Sequence, residues 1–107
     1  MLVEFTDYNF SSLLPASNRL TIVDFFSMWC RPCNMLTPIL KKLAEKNKDV
    51  TIGKVNTVEN SFLTEQYNIQ AIPAILFFKD GNLVKQLLGL QTEAQLQKHI
   101  NELKPND

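Results

Sequence analysis

The chain has 107 residues, 45% of them hydrophobic, with 11 Lys and Arg against 11 Asp and Glu and a formal net charge of zero. That length fits one domain over residues 1–107, large enough for a single core without staples. The neutral balance excludes a charge-driven role on nucleic acid or an anionic membrane surface, and no run approaches the ~18 apolar residues of a membrane span.

Met1-Leu2-Val3-Glu4-Phe5-Thr6-Asp7 has neither the basic start nor the apolar stretch of a secretory signal, so a cytoplasmic location is expected. Leu2 to Phe5 reads as a short strand. A helix follows from about Asp7 to Leu14, with Thr6 or Asp7 as its cap and Pro15 just beyond its end. Leu20-Thr21-Ile22-Val23-Asp24-Phe25-Phe26 is rich in β-branched and aromatic residues and almost continuously apolar, the pattern of a central strand covered on both faces. The period then changes. Leu36, Ile39, Leu40, Leu43 and Ala44 fall at i, i+3, i+4, i+7 and i+8, one face of a helix running to about Lys48, with an expected kink at Pro38.

Val50-Thr51-Ile52-Gly53-Lys54-Val55-Asn56 reads as the next strand. Strand, helix and strand in that order form a βαβ unit, so these two strands should be parallel with a right-handed crossover. A shorter helix is expected from about Glu59 to Tyr67. Ala74–Lys79 and Leu83–Leu88 flank Asp80-Gly81-Asn82, which is hairpin chemistry. The last helix opens on Thr92 and Gln95, spaced as a capping box, carries Leu96, Ile100 and Leu103 on one face, and ends near Pro105.

Chemistry concentrates in Trp29-Cys30-Arg31-Pro32-Cys33, at the junction of strand and helix. A thiol at a helix start faces unsatisfied N–H groups and the positive end of the helix dipole, which favour the reactive thiolate. The second thiol is within reach to close a disulfide. So short a loop makes a poor brace, worth about 2 kcal/mol by chain entropy, so a redox or metal role is favoured. Zinc or an iron–sulfur cluster needs four ligands; the sequence has no other cysteine, and its one histidine, His99, lies on the last helix as an expected solvated residue. Cys30, ahead of the helix, is the expected attacking thiol, and Cys33, in the first turn, the resolving one. Arg31 either favours the Cys30 thiolate or points into solvent and selects partners.

Asp24 is out of place among Ile22, Val23, Phe25 and Phe26. A carboxylate there needs a partner or a raised pKa, and Lys54 on the adjacent strand is the candidate. On the residues alone a structural ion pair is favoured. Pro73 fits the first position of a strand, and by base rate the bond before it would be trans. The Lys41-Lys42, Glu45-Lys46 and Lys48-Asp49 charges read as the outer face of the second helix.

Val23-Asp24-Phe25, Trp29-Cys30-x-Pro32-Cys33, Pro38, Lys54, Ile72-Pro73, Gly81 and Gly89, in this order and spacing, make the chain resemble the thioredoxin family over essentially its whole length. It departs from that family's commonest pattern at Phe26, Met28, Arg31, Val58 and Ala74, none of them a group that the chemistry needs. The resemblance implies the thioredoxin fold, an α/β architecture with a mixed five-stranded sheet in the order 1-3-2-4-5 flanked by four helices. It implies a monomeric protein-disulfide reductase that acts on disulfide-containing proteins, is recharged by thioredoxin reductase, and needs no cofactor or metal beyond the Cys30–Cys33 disulfide. It further implies that Asp24 lies beneath the dithiol and assists proton transfer with Cys33, and that Pro73 is cis and packs on the disulfide. The Ile72 backbone would then be free to take an extended substrate segment, with Trp29, Arg31, Pro32, Gly89 and Leu90 around the groove. The rival readings are an oxidase or isomerase on the same fold, a non-enzymatic binding or subunit-clamp module, and metal storage.

Overall fold

A computed structural model describes residues 2–14 and 19–104. The elements run β1 (Val3–Glu4), α1 (Phe10–Leu13), β2 (Leu20–Phe26), α2 (Arg31–Lys46), β3 (Thr51–Asn56), α3 (Ser61–Gln66), β4 (Ala74–Lys79), β5 (Asn82–Leu88) and α4 (Glu93–Leu103). The strands form one mixed sheet in the order β1-β3-β2-β4-β5, as the resemblance implies. β3 lies parallel to both β1 and β2, whereas β4 is antiparallel to β2 and β5.

Strand β2 is buried from Leu20 to Phe25, which is why it reads as nearly continuous apolarity rather than alternation. Its even residues Leu20 and Ile22 join Ile52, Ile75 and Phe77 under the stripe of Leu36, Leu40 and Leu43 from α2 and Leu96 and Ile100 from α4. Its odd residues Val23 and Phe25 face Phe10 of α1, Leu63 of α3 and an edge-to-face aromatic group built from Phe5, Phe10, Tyr67 and Phe78. Asp24, an even residue, therefore lies on the sheet face covered by α2. At the other edge Gly53 opposes Val3, and a Cβ there would sit 2.5 Å from both the Phe5 ring and the Val3 carbonyl oxygen. Only glycine lets β1 approach this closely.

The first helix is shorter than the sequence pattern predicts. Residues Asp7 to Asn9 form a turn, held by the Thr6 hydroxyl, which accepts from the N–H groups of Tyr8 and Asn9. Asp7 does not cap its own helix: its carboxylate accepts from Phe62 and Leu63 N–H and so caps α3. The α3 helix likewise begins late, because Asn56 Oδ1 accepts from Val58 and Glu59 N–H and holds that segment in a turn. Helix α2 continues through Pro38 and stops at Lys46, where the buried Asn47 side chain donates to Leu43 O and exchanges amide hydrogen bonds with Gln97 of α4.

The hairpin turn is the two residues Asp80 and Gly81, with φ of 55° and 79°, so Asn82 already belongs to β5. The α4 capping box forms as predicted. His99 is half-buried with its ring tilted against Phe77, not solvated, because it lies one residue before Ile100 on the flank of the packed face. Lys41, Lys42, Glu45, Lys46, Lys48 and Asp49 are exposed, and Lys46 pairs with Glu93 across to α4. Pro15 and Pro105, predicted helix stops, lie outside the described residues.

Candidate active site

β2 leaves the sheet at Phe26, and Ser27–Trp29 lead to Cys30, which is the N-cap of α2 in extended conformation. The Cys30 sulfur accepts from the Cys33 N–H at 3.2 Å, doing what a Ser or Asp oxygen does at other helix starts. Pro32, in the first turn, has no N–H to leave unsatisfied. Cys30 and Cys33 are joined in a disulfide with Cα atoms 5.2 Å apart. Cys30 is partly exposed, while Cys33 is fully buried and continues the inner stripe of Leu36 and Leu40. Cys33 is thereby turned toward the sheet face that carries Asp24.

The far wall comes from the hairpin. Phe25 is the register partner of Ala74, and Ala74 that of Leu88, so Pro73 and Gly89 lie beside the end of β2 from which the cysteine loop departs. Gly89 donates its N–H to Pro73 O at 2.8 Å, and the Ile72–Pro73 bond is cis. Pro73 is buried, Ile72 and Gly89 are half-buried, and Arg31, Pro32 and Leu90 are exposed. Trp29 is 91% exposed and takes no part in the core. It borders a cleft of about 280 Å³ with Met28, Asn56, Val58 and Glu59, residues that carry no spacing signal and come together only through the fold.

Asp24 is fully buried, and no protein group among the described residues hydrogen-bonds either of its oxygens. Burial pushes its carboxyl up to about 7, against a smaller downward pull from the Lys54 ammonium. Asp24 and Lys54 are register partners across β2 and β3. They are coupled through space and not by the direct ion pair that the sequence suggests. Lys54 Nζ instead donates to Thr37 Oγ1 at 2.6 Å and sits 4.1 Å over the centre of the Phe26 ring. Burial lowers the Lys54 pKa; Asp24 raises it, and Lys41 lowers it further. Thr37 carries no motif of its own in the sequence; its position one turn after Cys33 is the only local clue to its place here. Among the described residues no group of three His, Cys, Asp or Glu side chains could hold a metal ion, and no helix is long and apolar enough to cross a membrane.

The sequence model of the thioredoxin family matches residues 1–102. The chain belongs to the thioredoxin family. Thioredoxins are protein-disulfide oxidoreductases that need no cofactor beyond their redox-active disulfide, and Cys30 and Cys33 are that pair here, suited to thiol–disulfide exchange. Among its relatives, a thioredoxin of Chlamydia pneumoniae is 47% identical over 94 residues, 88% of this chain and 90% of the relative. One from Alicyclobacillus acidocaldarius is 39% identical over 99 residues, 92% of this chain and 93% of its own length. A bifunctional thioredoxin reductase/thioredoxin of Mycobacterium leprae is 30% identical over 105 residues, 97% of this chain and 23% of that longer protein.

Proposed function

We propose that this thioredoxin-family chain is a monomeric general protein-disulfide reductase of the cytoplasm, with Cys30 as nucleophile, Cys33 as resolving thiol and Asp24 as the proton acceptor for Cys33. The observation that carries the reading is the asymmetry of the two sulfurs: one is partly exposed at a helix N-cap, the other is fully buried on the α2 face that covers the sheet face of Asp24, whose carboxyl burial pushes up to about 7. The Cys30 thiolate attacks a substrate disulfide, forms a mixed disulfide, and releases one substrate thiol once it takes up a proton. Cys33, its proton passed to Asp24 through water, attacks Cys30 Sγ and releases the second thiol. Two electrons have then moved to the substrate, and Cys30–Cys33 is again a disulfide.

An extended substrate segment lies along Ile72, with Trp29, Arg31, Pro32, Pro73, Gly89 and Leu90 bordering it. Lys54 offsets part of the burial penalty on the Asp24 carboxylate. The electron donor is a thioredoxin reductase, a partnership supported by the relative that joins both activities in one chain. The test is reduction of insulin disulfides driven by NADPH and a thioredoxin reductase, run beside dithiothreitol alone. Turnover with the reductase supports the reading. Reduction by dithiothreitol only removes the reductase from it, and no reduction under either condition leaves a binding module.

A further inference from the structure

Thr37 lies one helical turn beyond Cys33 and is linked to both sides of the site. Its hydroxyl accepts from Lys54 Nζ at 2.6 Å and donates to the Cys33 carbonyl at 3.4 Å, so a chain of contacts runs from β3 to the turn that carries the buried cysteine. The ammonium rests on the Phe26 ring and borders a cleft of about 410 Å³ whose carboxylates, Glu4 and Glu59, are exposed. Asp24, its register partner, has no hydrogen-bond partner of its own among the described residues.

We propose that Thr37 is a positioning residue of the exchange reaction: its hydroxyl holds the Lys54 ammonium away from Asp24 and ties it to the α2 turn that carries Cys33. The consequence rests on the proposal above that Asp24 accepts the Cys33 proton. A direct ion pair would stabilise the carboxylate and leave it a poor base near neutral pH; an ammonium held at a remove keeps the carboxyl able to take up a proton. The charged groups bearing on this arrangement are few. Lys54 faces Asp24 from β3, Lys41 of α2 acts on Lys54, Glu4 and Glu59 share the cleft, and the thiols of Cys30 and Cys33 join them in the reduced state. β4 and α4 offer this sheet face the uncharged Ile75, Leu96 and Ile100, and α4 adds one titratable group, the half-buried His99 against Phe77. A freed ammonium is drawn to Asp24 rather than to the glutamates, because attraction to a buried charge is screened less than attraction to exposed ones.

The experiment is NMR titration of the Asp24 carboxyl in the oxidised protein, where the cysteines do not titrate. Wild type is compared with Thr37→Val, Thr37→Ser, Lys54→Met and the Thr37→Val/Lys54→Met double variant, with Thr37→Ala as an alternative that keeps a good helix former. In Thr37→Val the Asp24 midpoint should fall by about one pH unit, the effect of an opposite charge brought close. Thr37→Ser should titrate as wild type, and in the Lys54→Met background removal of the hydroxyl should do nothing more. An unchanged or raised midpoint in Thr37→Val, or the same fall without Lys54, overturns the proposal. The pH profile of insulin reduction by Thr37→Val separates this from the role of Asp24. A profile that moves with the titration supports both, whereas a moved titration with an unmoved profile supports the Thr37 tether and removes Asp24 as the base.

Discussion

The backbone N–H of Cys33 donates to Cys30 Sγ across the first turn of α2, at 3.2 Å. In the reduced protein that N–H faces a thiolate, and a hydrogen bond to a charged acceptor is about twice as strong as a neutral one. The helix dipole acts in the same direction. Cys33, inside the turn and without solvent, has burial against its charge. The two sulfurs therefore differ in readiness, with Cys30 ionised first.

This asymmetry predicts separable variants. Cys30→Ser should lose both turnover and mixed-disulfide formation, while Cys33→Ser should still attack and then remain covalently bound to a disulfide peptide. Mass spectrometry of each variant after incubation with the peptide reads the outcome. Trapping mainly through Cys33 in Cys30→Ser would reverse the assignment.

Asp24 should matter to rate and, with pH, to stability. An unfolded Asp titrates near 3.8 and burial pushes the folded one up to about 7, so both states are protonated, and the residue costs nothing, only well below 3.8. Between those values the native state binds the extra proton, so stability falls as pH rises, toward a penalty of about 4 kcal/mol above pH 7. Asp24→Asn should thus melt higher than wild type at pH 8 and approach it only at about pH 3, below the unfolded pKa, with turnover at pH 7 lowered roughly tenfold or more. Full activity with lowered stability at pH 8 would make Asp24 a structural residue.

Long periodic segments made most of this fold legible. β2, α2 and the strand after it carry their own hydrophobic pattern, and Thr92 with Gln95 marks the α4 start by local chemistry alone. The late start of the first helix is not legible locally: the Thr6 hydroxyl holds Tyr8 and Asn9 in a turn, and Asp7 caps Phe62 and Leu63, 55 and 56 residues away, a contact that no local pattern encodes. The Asp24–Lys54 relationship was half legible. Register follows from strand pairing, but whether a lysine reaches its neighbour depends on competing acceptors, and Thr37 on another element wins the ammonium. The cleft beside Trp29 was illegible for the same reason, since its walls come from separate segments.

Gly53→Ala should destabilise the protein by about 2 kcal/mol or more, the cost of overpacking. Glycine replacement in a strand usually gains a little by restricting the unfolded chain. Here the new methyl would lie 2.5 Å from a backbone oxygen, which cannot give way without moving β1 off the sheet. Urea unfolding at unchanged m-value measures it; a stability equal to or above wild type would show that the β1 edge repacks freely.

Trp29→Ala should leave the melting temperature within about 3 °C, because a side chain 91% exposed loses little packing. Its effect should appear as a raised KM for a protein substrate, with dithiothreitol still reducing the disulfide at the wild-type rate. Unchanged kinetics with insulin would take Trp29 out of the groove.

Arg31 is the first helical residue, next to the attacking sulfur, and it is exposed with no ion-pair partner among the described residues. A guanidinium in solvent acts on a nearby thiolate by less than about 1 kcal/mol, which is under roughly 20 mV for a two-electron couple. The sign is fixed by charge. Removing the cation disfavours the thiolate, hence the reduced form, so the disulfide of Arg31→Gly should become slightly more reducing. Equilibration of both proteins with a glutathione buffer should give a negative difference of about 10 mV at low salt that vanishes near 1 M salt, where the screening length is about 3 Å. A difference above about 30 mV that survives high salt would mean that Arg31 folds back onto the sulfur, shielded from solvent, and sets the potential. A vanishing difference leaves Arg31 to act on substrates, and slower turnover of acidic disulfide peptides by Arg31→Gly at unchanged potential would show that role directly.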